Sequence, residues 1–125
     1  MNFGFANPFR GAQPAVRPLP AQEAVAKAAR GEITLIDVRD HTEIAQTGKA
    51  KGAINIPLFM LNTKADPRHP EFHPDLSTDK PVAVYCASGA RSQMAGQALV
   101  QFGFSEVYNL GGLFHWQAAG GLVER

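Results

Sequence analysis

The sequence contains a single cysteine, Cys86, and this scarcity excludes two kinds of site. One thiol permits no disulfide within the chain and no zinc site built from several thiolates. A persistent free thiol also suits a reducing compartment better than an oxidising one. We therefore expect a cytoplasmic location.

Long hydrophobic runs and an excess of charge are lacking as well. No apolar stretch approaches the ~20 residues that span a bilayer, and the N-terminus lacks the charged segment and apolar core of a secretory signal. The formal net charge is +1, and the eight Phe residues are not interleaved with basic residues in the way that binding of single-stranded nucleic acid requires. The sequence therefore predicts no membrane partner and no nucleic-acid partner.

The chain of 125 residues fits one globular domain preceded by a short segment of different composition. Residues 1–18 are rich in Pro, Gly and Asn and carry Phe3, Phe5 and Phe9. We predict an extended N-terminal arm without regular structure, which covers its own domain or contacts a partner. Residues 19–125 form the domain.

Strands and helices are predicted to alternate along the domain. Apolar runs predict buried strands over 33–38, 53–56, 82–85 and 107–110, with a tight turn at Gly111-Gly112. Helices are predicted over 20–30, from Asp40 to near Gly48, over 93–102 with Met94 on the buried face, and over 113–119. This alternation favours an α/β fold, with a parallel sheet covered by helices on both faces. In such sheets the functional site lies beyond the carboxyl ends of the strands.

Cys86 lies at such a strand end. It closes the apolar run 81–86, and a short loop then leads into the helix predicted over 93–102. Free N–H groups at a helix N-terminus favour negative charge, so we expect a lowered thiol pKa. The alternative is a small buried residue that only fills space at the end of a strand.

The loop after Cys86 has the composition of an anion cradle. Gly89 permits a tight curl in which successive N–H groups point inward. Arg91 is suited to sulfonate, sulfate or carboxylate oxygens, although an ion pair with Asp37 or Glu43 is an alternative. We expect Asp37 and Arg39 to pair with each other and to hold the strand end, rather than to act in catalysis.

Four stretches resemble, in order, the pattern of the single-domain rhodaneses, a family of sulfurtransferases. They extend over about residues 19–122, nearly the whole chain apart from the arm. Each stretch alone is weak evidence for the family, but the four stretches in this order are specific to it. The stretches are Leu35-Ile36-Asp37-Val38-Arg39, Gly52-Ala53-Ile54-Asn55-Ile56-Pro57, Val84-Tyr85-Cys86-Ala87-Ser88-Gly89-Ala90-Arg91-Ser92, and Leu110-Gly111-Gly112 followed by Trp116 and Gly120.

The resemblance implies a central parallel sheet of about five strands flanked by helices on both faces. It implies that Cys86 is a nucleophile that takes sulfur from a donor such as thiosulfate and passes it, as a persulfide, to cyanide or a thiol. A protein is an alternative acceptor, and no metal or organic cofactor is implied. The loop that would hold the substrate consists of Ala87, Ser88, Gly89, Ala90 and Arg91.

The resemblance has one departure and leaves rival functions open. The family often has histidine where this chain has Lys49, so the role of that position stays open. A sulfur carrier without turnover, or a module that binds a partner, is an alternative function. Phosphatases and arsenate reductases of the same fold are less favoured, because they have one more residue between Cys and Arg. Ala87 and Ala90 leave the loop with little charge, so we expect thiosulfate to be a poor donor.

Overall fold

The structure, a computed structural model, describes residues 15–125. The predicted arm and its three Phe residues fall mostly outside the described residues. The strands are β1 (Val16–Pro18), β2 (Thr34–Asp37), β3 (Lys49–Ala50), β4 (Ile54–Asn55), β5 (Val82–Cys86), β6 (Val107–Gly112) and β7 (Val123–Glu124). The α-helices are α1 (Ala21–Ala29), α2 (His41–Thr47), α3 (Leu61–Lys64), α4 (Ala90–Gln101) and α5 (Leu113–Ala118), with a 3-10 turn at Leu58–Met60.

Five of the strands form one parallel sheet in the order β1-β6-β5-β2-β4, with β5 at its centre. Successive side chains of β5 enter different core clusters, because side chains alternate between the faces of a strand. One cluster includes Val82, Val84 and Cys86 with Ala95 and Leu99 of α4. The other includes Ala83 and Tyr85 with Ala24 of α1 and Leu113 and Trp116 of α5. The predicted α/β fold, with helices on both faces of a parallel sheet, is confirmed.

The first strand was not predicted. Val16–Pro18 pairs in parallel with Val107–Asn109, so the prediction of an arm without regular structure is wrong for these three residues. The strand lies at an edge of the sheet, where proline is tolerated because the missing N–H faces away from the ladder. Its pairing depends on a segment far along the chain, which local sequence signals do not report.

Helix α4 begins at Ala90, three residues before its predicted start, because Gly89 takes the position before the helix. Gly89 has a φ of 111°, a left-handed conformation that suits glycine. Arg91 therefore lies in the first turn of the helix and not in a loop. Met94, predicted to be buried, is 61% exposed.

The predicted tight turn at Gly111-Gly112 is also wrong. Gly111 and Gly112 form the last residues of β6 and not a tight turn.

Lys49 lies in a small antiparallel sheet of β3 and β7, which the sequence did not predict, and its ammonium pairs with Glu124. Within residues 15–125 no helix is both long and apolar enough to cross a membrane.

Candidate active site

The thiol of Cys86 lies at the carboxyl end of the central strand and is 1% exposed. The three residues that follow turn back over the sulfur, so that the N–H of Gly89 donates to Sγ at 3.0 Å. The hydroxyl of Ser92, in the first turn of α4, lies 3.4 Å from the same sulfur. The predicted cradle is therefore formed by backbone N–H groups and one hydroxyl.

These donors favour the thiolate. Burial raises the pKa of the Cys86 thiol, but the hydrogen bonds from the Ser92 hydroxyl and from the backbone of Ser92, Gly89 and Ser88 outweigh it, so the pKa is lowered. A lowered pKa gives a larger fraction of thiolate, the nucleophilic form, at neutral pH. The site thus stabilises the anionic form of a buried sulfur.

We expect alkylation of Cys86 by iodoacetamide to reach half its maximal rate below the pH of about 8.5 that is typical of a free thiol. Only the thiolate reacts, so the rate rises with pH, and a lowered pKa moves the midpoint to lower pH. Ser92→Ala should move the midpoint upward, because it removes one donor to the sulfur. Ser105→Ala, at an exposed serine, is the control. An unshifted midpoint in the unmodified protein would contradict a cradle that favours anions.

Asn109 of β6 holds the loop in place and was missed by the sequence analysis. Its amide Nδ2 donates to the carbonyl of Gly89 at 3.1 Å, and its Oδ1 accepts from the Ser92 hydroxyl at 2.7 Å. The single hydroxyl proton of Ser92 can point to Asn109, to the Gly89 carbonyl or to Cys86, which allows it to stabilise the thiolate when that forms. An asparagine within an otherwise apolar strand was the only sequence signal.

The loop also depends on close approach by β6. A Cβ added at Gly112 would lie 2.2 Å from the carbonyl oxygen of Ala87, closer than any real contact. The backbone of Gly112 is extended, with a φ of −129°, so the requirement for glycine here is steric. The second glycine of the Gly111-Gly112 pair therefore lets the strand pass against the Cys86 loop.

Arg91 is bound to a carboxylate. Its Nη1 and Nη2 donate to the two oxygens of Glu43 at 2.7 and 2.9 Å. The sequence left open whether Arg91 binds oxygens of a substrate or forms an ion pair with Asp37 or Glu43. The structure contains the ion pair, and its partner is Glu43. The hydrogen bonds from Arg91 lower the pKa of Glu43 to about 2, so the pair persists at neutral pH and is lost only in strong acid.

Asp37 and Arg39 form a buried ion pair, as predicted, with Nη2 of the arginine 2.7 Å from Oδ2 of the aspartate. Arg39 also donates to the Thr47 hydroxyl and to the Gly48 carbonyl at the end of α2. The pair therefore connects the end of β2 with α2, the helix that carries Glu43. Both side chains are almost fully buried, and their contacts join elements of the fold to one another.

The other predicted loop residues face solvent or line an open groove. Ala87, Ser88 and Ala90 are exposed. A groove of about 760 Å³ lies beside the loop, and Ser88 and Gly89 form part of its wall. We call it the loop groove; its lining includes Leu19, Pro20, Ser88, Gln93, Leu110 and His115.

Among residues 15–125 there is no cluster of three or more His, Cys, Asp or Glu side chains suited to a metal ion.

Comparisons with known proteins identify the family. Residues 20–119 match the Rhodanese-like domain family. A Bacillus subtilis protein named "Uncharacterized protein YqhL" is 41% identical over 66% of this chain and 59% of its own length. An Allochromatium vinosum protein named "Sulfurtransferase" is 33% identical over 71% of this chain and 76% of its own.

A solved structure from Rhodopseudomonas palustris is also similar. It has a TM-score of 0.78, is 32% identical, and covers 87% of this chain and 85% of its own; it is described as a protein of unknown function and possible tyrosine phosphatase. The family match extends from α1 to the end of α5 and includes the whole Cys86 loop. The chain therefore belongs to the Rhodanese-like domain family.

Proposed function

We propose that the protein is a sulfurtransferase that carries sulfane sulfur from a donor to a thiophilic acceptor on Cys86. The observation that carries this proposal is the buried thiol at the end of β5, whose sulfur accepts the Gly89 N–H and lies beside the Ser92 hydroxyl. The same donors suit a persulfide, whose outer sulfur also bears negative charge. The name of the Allochromatium relative supports the same reaction type.

The reaction has two displacements. The Cys86 thiolate attacks the outer sulfur of the donor, the bond between that sulfur and the rest of the donor breaks, and the leaving group keeps the electron pair. With thiosulfate, sulfite would leave and a Cys86 persulfide would remain. Cyanide or a thiol then attacks the outer sulfur and releases the thiolate, and we propose that no metal or organic cofactor takes part.

Phosphatase activity is the rival suggested by the description of the Rhodopseudomonas structure. A phosphatase of this fold needs its loop arginine to bind phosphate oxygens, whereas Arg91 is bound to Glu43 through both terminal nitrogens. Only four residues separate Cys86 from Arg91, which leaves a small cradle. Both features favour sulfur transfer over phosphate hydrolysis.

The test is intact-mass measurement after incubation with sulfane-sulfur donors. We expect the protein to gain one sulfur atom, to lose it on addition of cyanide or a thiol, and to cycle with ping-pong kinetics. Sulfur uptake without repeated turnover would support the alternative, a sulfur carrier. No uptake from any donor, together with hydrolysis of aryl phosphates, would overturn the proposal in favour of a phosphatase.

A further inference from the structure

We propose that this protein selects thiol persulfides, R–S–SH, with an uncharged body R, and discriminates against donors in which the group that carries the transferred sulfur is a sulfonate or bears one. The loop groove would hold the body R while its sulfur reaches Cys86. This inference rests on the proposed sulfurtransferase function and names its donor class. It follows from the charges that the structure places around the Cys86 loop.

The cation of the loop is neutralised. Arg91 gives both terminal nitrogens to Glu43, at 2.7 and 2.9 Å, and so offers no full positive charge to a donor. Asp40 lies close enough to raise the pKa of Arg91 further, which adds a second negative charge to this side of the loop. A doubly charged donor would approach a surface whose local balance is zero or negative.

Two other cations of the domain are also paired. Arg39 is buried against Asp37, and Lys49 pairs with Glu124. Lys51 lines different cavities, one of which also contains Trp116. Ala87 and Ala90 contribute no charge to the exposed part of the loop. With these cations paired, the donors left to bind an anion at the loop are its backbone N–H groups. We expect this small set of donors to stabilise a single negative charge on sulfur better than a sulfonate group.

The loop groove has a lining that fits an uncharged body. Among the described residues, no Asp, Glu, Lys or Arg lines it; its walls combine Leu19, Pro20 and Leu110 with the polar Ser88 and Gln93. The groove reaches Gly89, whose N–H contacts the Cys86 sulfur. A molecule lying in the groove therefore needs apolar and hydrogen-bonding groups, and a charged group there would lose hydration without gaining a partner.

His115 adds a directed hydrogen-bond donor to the same groove. Its Nδ1 accepts the N–H of Gly112 at 3.1 Å, so in the neutral ring the proton is on Nε2. An Nε2–H in this wall can donate to a carbonyl oxygen of the bound molecule. An amide-containing body therefore suits the groove.

The transfer step balances without a further reactant. The Cys86 thiolate attacks the outer sulfur of R–S–SH, the S–S bond of the donor breaks, and R–S⁻ leaves with the electron pair. The products are the Cys86 persulfide and the thiolate of R, with one negative charge on each side of the equation. No oxidant or reductant is needed.

The experiment compares three donors on the full chain in single-turnover reactions followed by intact mass. These are the persulfide of N-acetylcysteamine, whose body R is uncharged and which we call the uncharged persulfide for that reason, the persulfide of 2-mercaptoethanesulfonate, whose body carries a sulfonate, and thiosulfate. Each rate is divided by the rate of the same donor with a small thiol in solution, which removes differences in intrinsic reactivity. We expect the uncharged persulfide to react about tenfold faster than either sulfonate-type donor, the scale of one unit charge near a protein surface.

Glu43→Gln tests the cause. Glutamine keeps an oxygen for the Asp40 N–H but leaves Arg91 with an uncompensated charge. We expect the sulfonate-type donors to gain severalfold and the uncharged persulfide to change little. Glu32→Gln, which breaks the exposed pair with Arg30, is the matched control and should leave all ratios unchanged. Ala87→Arg, at an exposed position, should produce the same gain by adding a charge.

The outcomes separate this inference from the proposed function. If thiosulfate or the sulfonate persulfide matches the uncharged persulfide in the unmodified protein, the inference is overturned while sulfur transfer stands. If both Glu43→Gln and Ala87→Arg slow all donors equally, charge does not set donor choice and the inference is again overturned. If Cys86 gains sulfur from none of these three and from no other sulfane-sulfur donor, and the protein hydrolyses aryl phosphates, the proposed function itself fails.

Discussion

Cys86→Ser should abolish sulfur transfer, with a loss of at least about a thousandfold in turnover and no gain of sulfur on the protein. A serine hydroxyl is far too basic to ionise in a cradle that only lowers the pKa of a thiol. It would also form no persulfide. The measurement is turnover with the best donor, together with intact mass after donor treatment.

The fold should survive this change, which keeps the result interpretable. Serine has the shape of cysteine with a smaller terminal atom, so the change causes no overpacking, and the Gly89 N–H and Ser92 hydroxyl can hydrogen-bond either atom. Thermal unfolding of Cys86→Ser and Cys86→Ala checks this point. Because the chain has one cysteine, sulfur uptake by either variant would locate the acceptor elsewhere and would refute the assignment of Cys86.

The buried strands could be predicted because their signal is local. The apolar runs 33–38 and 82–85 became β2 and β5, and glycine at positions 31, 48 and 103 ended α1, α2 and α4 near the expected residues. Strands β1, β3 and β7 could not be predicted in this way. Each has two or three residues, and each exists only because a distant segment pairs with it.

The candidate site shows the same limit. The position of Cys86 at a strand end, before a helix, followed from the order of apolar and polar residues. The early start of α4 could not be predicted in this way. The residue before the helix is Gly89, which gives a weaker sequence signal for a helix start than Ser, Thr, Asp or Asn. Asn109 and Gly112 reach the loop through the register of β6 against β5, which no sequence pattern reports.

The sequence could not determine which of two carboxylates, Asp37 or Glu43, pairs with Arg91. Asp37 already pairs with Arg39, because the Arg39 guanidinium donates to both carboxylate oxygens of Asp37. Glu43 projects from α2, and the Asp37–Arg39 pair fixes the end of that helix through Gly48. The environment of the loop therefore depends on a buried pair that does not touch the thiol.

Arg39→Ala should destabilise the protein by about 3–5 kcal/mol, because it leaves the carboxylate of Asp37 buried without its charged partner. The measurement is the free energy of unfolding in urea. Arg30→Ala is the matched control, since it breaks an exposed arginine–carboxylate pair, and it should change the stability little. A loss no larger than that of Arg30→Ala would contradict a structural role for the buried pair.

The double variant Asp37→Asn with Arg39→Ala separates the charge from the packing. If the cost of Arg39→Ala comes from the unpaired carboxylate, replacing that carboxylate with a neutral amide should restore part of the lost stability. If it comes from the lost contacts of Arg39 with Thr47 and Gly48, the double variant should be at least as unstable as the single one. We expect partial recovery, because Asp37 is fully buried and a charge without a partner there costs more than the loss of two hydrogen bonds to neutral acceptors.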